Sequence, residues 1–189
     1  MAKIDENLMM NKARGNVGKQ FVFKQRGETT HIARMPRKNK NAVITAKQET
    51  VRDLFSAAAM FAQGVTADPD LKVEYEKKVT SGTTAYNVAF RDYLKSPKVL
   101  SINPEFYDGS AGSIITVVAK DDFRVARVVV KIRTAAGVVL ETGDATLNPI
   151  KREKWQYVAS QANATLTGTK IEATAYDIPE NKGVLEITL

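Results

Sequence analysis

The spacing of apolar positions changes twice along the chain. Residues 1–20 are polar and rich in Asn and Gly, with no sustained period of two or 3.6, and read as an arm without a core of its own. Two short runs at 21–24 and 29–34 then flank Arg26-Gly27-Glu28, which predicts a hairpin with Gly27 at positive φ. Pro36 ends it, and RKNKN at 37–41 reads as a solvated basic linker. From there the period lengthens. Thr45 and Gln48 form a capping-box pattern, and Val51, Leu54, Phe55, Ala58, Phe61 and Ala62 recur every three or four residues, predicting a helix that stops at Gly64. Asp68-Pro69 predicts the start of a second helix with Leu71, Tyr75 and Val79 on one face, ending near Gly82. A third starts near Thr84, carries Tyr86, Ala89, Phe90, Tyr93 and Leu94, and breaks at Ser96-Pro97. The aromatic stripe of Tyr75, Tyr86, Phe90 and Tyr93 has helical spacing and reads as core packing.

From Lys98 the period drops to two and β-branched residues dominate. Strands are predicted near 99–103, 113–119, 124–133, 138–142, 154–159, 170–176 and 183–188. Turn signals separate them at Asp108-Gly109, Asp121-Asp122, Ala136-Gly137, Gly143-Asp144, Asn148-Pro149, Thr167-Gly168 and Pro179-Glu180-Asn181. Seven short strands with one tryptophan, Trp155, for the core fit an immunoglobulin-like or fibronectin-like β-sandwich. The expected fold is therefore α+β and multidomain: a basic arm with a β-hairpin at 1–41, a short helical unit at 42–97 and the sandwich at 98–189. The boundary is expected between Tyr93 and Val99, so that a fragment from Lys98 folds alone.

Two stretches carry resemblances. AKDDFRVARVVVKI, followed some way on by ATAYDIPENKG, resembles bacterial immunoglobulin-like modules of the fibronectin and cadherin kind. There an Asp-containing turn joins two central strands, and a late strand closes on an Ala-x-Asp-x-x-x-x-Asn type of ending. That likeness implies a fold that serves adhesion, spacing and capsid decoration alike. Residues 15–63, with GNVGKQFVFKQRGETTHIARMPRK ahead of an amphipathic helix, are similar to a bacterial family with no assigned activity.

Composition narrows the function. A hydrophobic share of 43% with 26% charged residues in 189 is that of a folded protein. No run reaches the ~18 apolar residues of a membrane-spanning helix, and the opening lacks an apolar leader core. The expected location is thus cytoplasmic, virion-associated or exported by a non-Sec route. Cysteine is absent. Residues 1–50 carry 11 Lys and Arg against 4 Asp and Glu, the entire net charge of +7, and the other 139 residues carry 17 of each sign. A basic patch of Lys19, Lys24, Arg26, Arg34, Arg37, Lys38 and Lys40 follows.

With His31 the only histidine and no cysteine, Ser-His-Asp, Cys-His and multi-His/Cys zinc sites are excluded within one chain. Gly15-Asn16-Val17-Gly18-Lys19 lacks P-loop spacing and reads as a turn. Asp121, Asp122 and Asp177, with Glu180, lie at predicted strand ends and are weak calcium candidates, although turns and caps explain them as well. Asn163-Ala164-Thr165 matches a glycosylation acceptor. No cofactor and no small-molecule substrate are expected. The leading expectation is a non-enzymatic structural or assembly protein, a fibre, surface-layer or virion subunit. It would form homo-oligomers or polymers through Phe21, Val22, Phe23 and Ile32 of the arm. Nucleic-acid binding through the basic arm is one alternative. Another is carbohydrate or surface adhesion through an exposed Trp155 or Tyr157.

Overall fold

The computed structural model describes residues 2–4, 7, 10, 12–37 and 43–189, with the backbone alone for 2–4. Among them the chain is mostly β, with a four-stranded sheet, three α-helices and a seven-stranded sheet. Two compact units result: Met1–Asp53 with Thr80–Thr84, and Leu54–Val79 with Ala85–Leu189. The helices from Leu54 onward thus group with the seven strands, whereas the sequence pattern set 42–97 apart.

In the first unit the expected hairpin is present as β3 (Phe21–Arg26) and β4 (Thr29–Arg34), turning at Gly27 with φ +57. The preceding arm, expected to lack structure of its own, adds β1 (Ala2–Ile4) and β2 (Gly15–Val17) at the two edges, in the order β1-β4-β3-β2. Gly18 and Lys19, at φ +59 and +55, make the left-handed turn between β2 and β3, and the Asn16 side chain accepts from the Lys19 amide at 2.9 Å. These strands are three residues long, too short to show a period, which is why the pattern hid them.

The second unit begins with most of α1 (Ala46–Ala67), followed by α2 (Pro69–Glu76) and α3 (Ala85–Leu94). The capping box forms as expected: Thr45 Oγ1 accepts from the Gln48 amide at 3.3 Å and Gln48 Oε1 from the Thr45 amide at 3.1 Å. Helix α1 does not stop at Gly64, because the next turn buries Val65. It ends instead at Ala67, because Asp68 is held extended (φ −89, ψ 116) ahead of Pro69, and the Asp68 side chain caps α2 by accepting from the Asp70 and Leu71 amides. Ala62, Val65, Tyr75, Ala85, Val88 and Ala89 form the helical core. Phe123 and Ile178, from the β part, pack against it, with the Phe123 ring stacked on Tyr75 at 4.0 Å. The expected stripe is in this packing: Tyr75 is buried, Phe61 meets Tyr93 at 5.5 Å, and Tyr86 lies over Phe90 at 6.1 Å.

The seven strands are β5 (Lys98–Phe106), β6 (Ile114–Lys120), β7 (Arg127–Arg133), β8 (Val139–Leu147), β9 (Lys154–Val158), β10 (Lys170–Tyr176) and β11 (Lys182–Thr188). They are antiparallel in the order β11-β10-β7-β8-β9-β6-β5, and the edge strands β11 and β5 approach each other, so the sheet curls nearly into a barrel. Alternate residues enter one core: Ile115, Val117 and Ala119 from β6, Val128, Val130 and Ile132 from β7, Ile171, Ala173 and Ala175 from β10. Strand β8 changes partner along its length, pairing with β7 through Ala145 and with β9 at Thr146 and Leu147. Gly143-Asp144, expected to be a turn, lies inside β8. A Cβ on Gly143 would stand 2.9 Å from the Tyr157 ring, so this glycine serves a close approach of strand and ring instead.

Candidate functional site

The register of the four-stranded sheet sorts its side chains into two faces, because directly opposed residues of antiparallel strands point the same way. Phe21 opposes Val17 and Arg34, Phe23 opposes Gly15 and Ile32, and Gln25 opposes Thr30. This face is apolar along Val17, Phe21, Phe23 and Ile32. On the other face Val22 lies with Asn16 and Ala33, Lys24 with His31, and Arg26 with Thr29. The four residues expected to make one interface are therefore split: Phe21, Phe23 and Ile32 share a face, and Val22 stands among the cations on the opposite one. Period two explains the correction, since Val22 sits between the two phenylalanines.

The apolar face is only partly covered. Val17 is 55% and Phe21 46% exposed, Phe23 and Ile32 are half-buried, and Thr30 is buried, its hydroxyl accepting from the Lys12 amide at 3.0 Å. A second exposed apolar row opens α1: Val51, Leu54 and Phe55 are 63%, 47% and 59% exposed, while further along the same helix Ala58, Ala62 and Val65 are buried. Among the described residues, the basic ones do not gather into one patch. Lys24 and Arg26 share a face, Arg34 lies on the apolar one, Lys19 occupies the β2–β3 turn, and Arg37 follows β4. Lys38 and Lys40 lie outside the described residues, as do the other positions of 38–42. Arg14, Phe23, Lys24, Gln25, Arg26 and Gly27 line an open depression of about 540 Å³, with Arg14 Nε donating to Gln25 Oε1 at 2.8 Å.

Of the calcium candidates, Asp121 and Asp177 are brought together and Asp122 is not. Asp122 turns outward to Lys95 Nζ at 2.6 Å and Arg91 Nε at 3.8 Å, and the Lys95 hydrogen bond holds its carboxyl below the ordinary range. Asp177 is buried, and both its oxygens accept from Asn181, the amide at 2.7 Å and the side-chain nitrogen at 2.8 Å. Burial nonetheless raises its pKa. The third member is Asp92 on α3, which the sequence analysis did not single out. It is 1% exposed and takes the Tyr75 hydroxyl at 2.6 Å. A signal existed: Ala85, Val88, Ala89 and Asp92 follow helical spacing, so Asp92 continues a buried stripe. Among the described residues, no group of three or more His, Asp or Glu is placed to hold a metal ion.

Trp155 and Tyr157 are each 5% exposed and belong to the β core, so neither presents a ring for stacking on a sugar. Asn163 of the acceptor triplet is buried too, its side chain donating to Thr169 Oγ1 at 2.8 Å. His31 is half-buried in β4, its Nε2 3.2 Å from the Thr29 hydroxyl. No helix among the described residues is long and apolar enough to cross a membrane.

No protein-family model matches the chain, and no curated protein matches it. Among solved structures it is similar to one described as the crystal structure of CopC from Methylosinus trichosporium OB3b, at 12% identity and a TM-score of 0.35, over 48% of this chain and 87% of that one.

Proposed function

We propose that the chain is a non-enzymatic assembly subunit whose N-terminal sheet contacts a neighbouring copy, and that its seven strands form an immunoglobulin-like sandwich. The sandwich reading is supported by the strand order. Strands β5, β6 and β9 with the end of β8 make one layer, β11, β10 and β7 with the start of β8 the other, and β8 crosses between them. The observation that carries the assembly reading is the uncovered row of Val17 and Phe21 beside Phe23 and Ile32. A small sheet with one apolar face open to water gains by burying it, and the next copy is the partner always present at matching concentration. Deleting residues 1–36 should leave a monomer, while the intact chain forms larger species in sedimentation velocity and electron microscopy. Phe21→Ser with Phe23→Ser should weaken assembly more than neutralising Arg37 and Lys38, because buried apolar side chains outweigh screened surface charges. An intact chain that stays monomeric at high concentration refutes the reading.

A second reading, nucleic-acid binding, is favoured by the depression lined by Arg14, Lys24 and Arg26, in the unit that carries the whole net positive charge. Salt separates the two. Polyanion affinity falls steeply with ionic strength through counterion release, whereas apolar association between copies does not.

A further inference from the structure

Three carboxylates converge where α2 and α3 meet the turns of the β part: Asp92 from α3, Asp121 from the β6–β7 turn and Asp177 from the β10–β11 turn. Most of their oxygens have donors. Asp92 Oδ2 has the Tyr75 hydroxyl, Asp121 Oδ2 has the Phe123 and Arg124 amides at 3.1 and 3.0 Å, and Asp177 has Asn181. Two are left, Asp92 Oδ1 and Asp121 Oδ1, both buried and both without a donor. The two side chains are neighbours at this junction: Tyr75, which donates to Asp92, stacks on Phe123, whose amide donates to Asp121, and Asp121 acts on Asp92 both as a nearby charge and as a hydrogen-bonding carboxyl. Two ionised carboxylates in that position repel and leave two acceptors unsatisfied, whereas a single proton between them satisfies both.

We infer that Asp92 keeps its proton and turns it toward Asp121, and that this acid–carboxylate pair is a pH-released clasp holding α2 and α3 to the β6–β7 turn. Of the groups facing the pair, the neighbouring carboxylates favour a bound proton and the Tyr75 hydrogen bond opposes it. Tyr75, on α2, is held protonated by burial and by Asp92 and serves as a donor only. Asp177 adds negative charge from the β10–β11 turn. The cations nearby are engaged elsewhere: the Arg124 guanidinium on Glu74 at 3.0 Å, Lys95 and Arg91 on Asp122. Burial comes first and the neighbouring carboxylates next in raising the Asp92 pKa to about 7, against the opposing Tyr75 hydrogen bond. A carboxyl raised in the folded state contributes its full stability below the ordinary carboxylate range and loses it as pH climbs through about 7. Above that, a second charge builds in the pair and the helices loosen from the turn. Nothing in this depends on the assembly reading.

The test is amide hydrogen exchange of α3 in the full chain at dilute, monomeric concentration, in a His31→Asn background so that no imidazole titrates. Between pH 6 and pH 8 the opening equilibrium of α3 should rise about tenfold, after correction for intrinsic exchange, while that of β7 and β10 holds. Asp92→Asn keeps an acceptor for Tyr75 and places an amide donor against Asp121, so its opening should be flat over the same range. Asp121→Asn makes the same substitution from the other side and carries the test if the first variant misfolds. A flat profile in the parent overturns the clasp. So does a carbon-13 titration that puts Asp92 in the ordinary carboxylate range, or an Asp92→Asn chain with the parent's slope.

Discussion

Replacing Gly183 by alanine tests a close backbone approach between β11 and the start of β5. A Cβ there would overlap the Pro97 carbonyl oxygen and stand 2.8 Å from the Pro97 carbonyl carbon and 3.2 Å from Lys98 Cα. Contacts near 3.5 to 4 Å are the comfortable ones, so β11 and the entry to β5 must separate by well over ~1 Å. Neither side gives easily. Gly183 opposes Ala175 in the β10–β11 ladder, and Lys98 opposes Lys120 in the β5–β6 ladder. Over-packing of this kind costs 1–3 kcal/mol, and with backbone rather than a flexible side chain as the obstacle the upper end applies, about 3 kcal/mol. Urea unfolding followed by Trp155 fluorescence reads the loss as a lower midpoint with an unchanged slope. Gly64→Ala is the control of opposite sign: it lies inside α1 with nothing within 4 Å of its Cβ and should stabilise by about 0.5–1 kcal/mol. A Gly183→Ala chain within about 0.5 kcal/mol of the parent would show that the strands slide freely at this edge and that the approach is not a constraint.

Trp155→Ala should cost about 3–5 kcal/mol, since the ring lies in the β core with its partners on β6 and β8, and iodide should scarcely quench the parent's fluorescence. A fragment of residues 98–189 retains the whole β core and should fold as a β protein by circular dichroism. It should be less stable than the full chain, because it bares Phe123 and Ile178 and removes the Tyr93 carbonyl that accepts from Asn181. A fragment that stays unfolded would mean the strands need the helices to form at all.

The second half was legible because its strands follow strict alternation and its chief turns hold Gly or Asp, so the seven expected strands coincide with β5 to β11 within a few residues. Two of the misreadings share a cause, a residue whose local preference was outweighed by its packing. Gly143 looks like a turn until the Tyr157 ring is placed beside it, and Gly64 looks like a helix stop until Val65 finds its pocket. The three-residue strands β1 and β2 are stabilised by pairing to β4 and β3, and no window on their own sequence contains that information. For the candidate sites the limit is sharper. A basic run in sequence becomes two faces and a turn once strands alternate, so charge counting located the unit but not the surface.

The acidic junction shows why Asp92 escaped notice. Asp on a buried helical stripe contradicts the pattern that makes the stripe visible, and reading the pattern discounts it. Physically the contradiction carries a cost: a buried carboxyl is destabilising unless every oxygen is satisfied, and apolar side chains of similar size in the same place give equal or greater stability. Phe123 stacked on Tyr75 already supplies an apolar joint between the helices and the turn. The carboxyls beside it therefore add little adhesion in exchange for what burial costs them. What they add is conditionality. Tyr75 links both contacts, its ring in the stack and its hydroxyl on Asp92, so a charge appearing on Asp92 acts on the side chain that anchors α2. The buried carboxyl on a strand, Glu141 of β8, accepts from Ser160 and the Gln161 amide, so no strand carboxyl takes part in the clasp. Loosening is thereby confined to the helices, which places α2 and α3, rather than any strand of the core, as the first elements of this unit to open as pH rises.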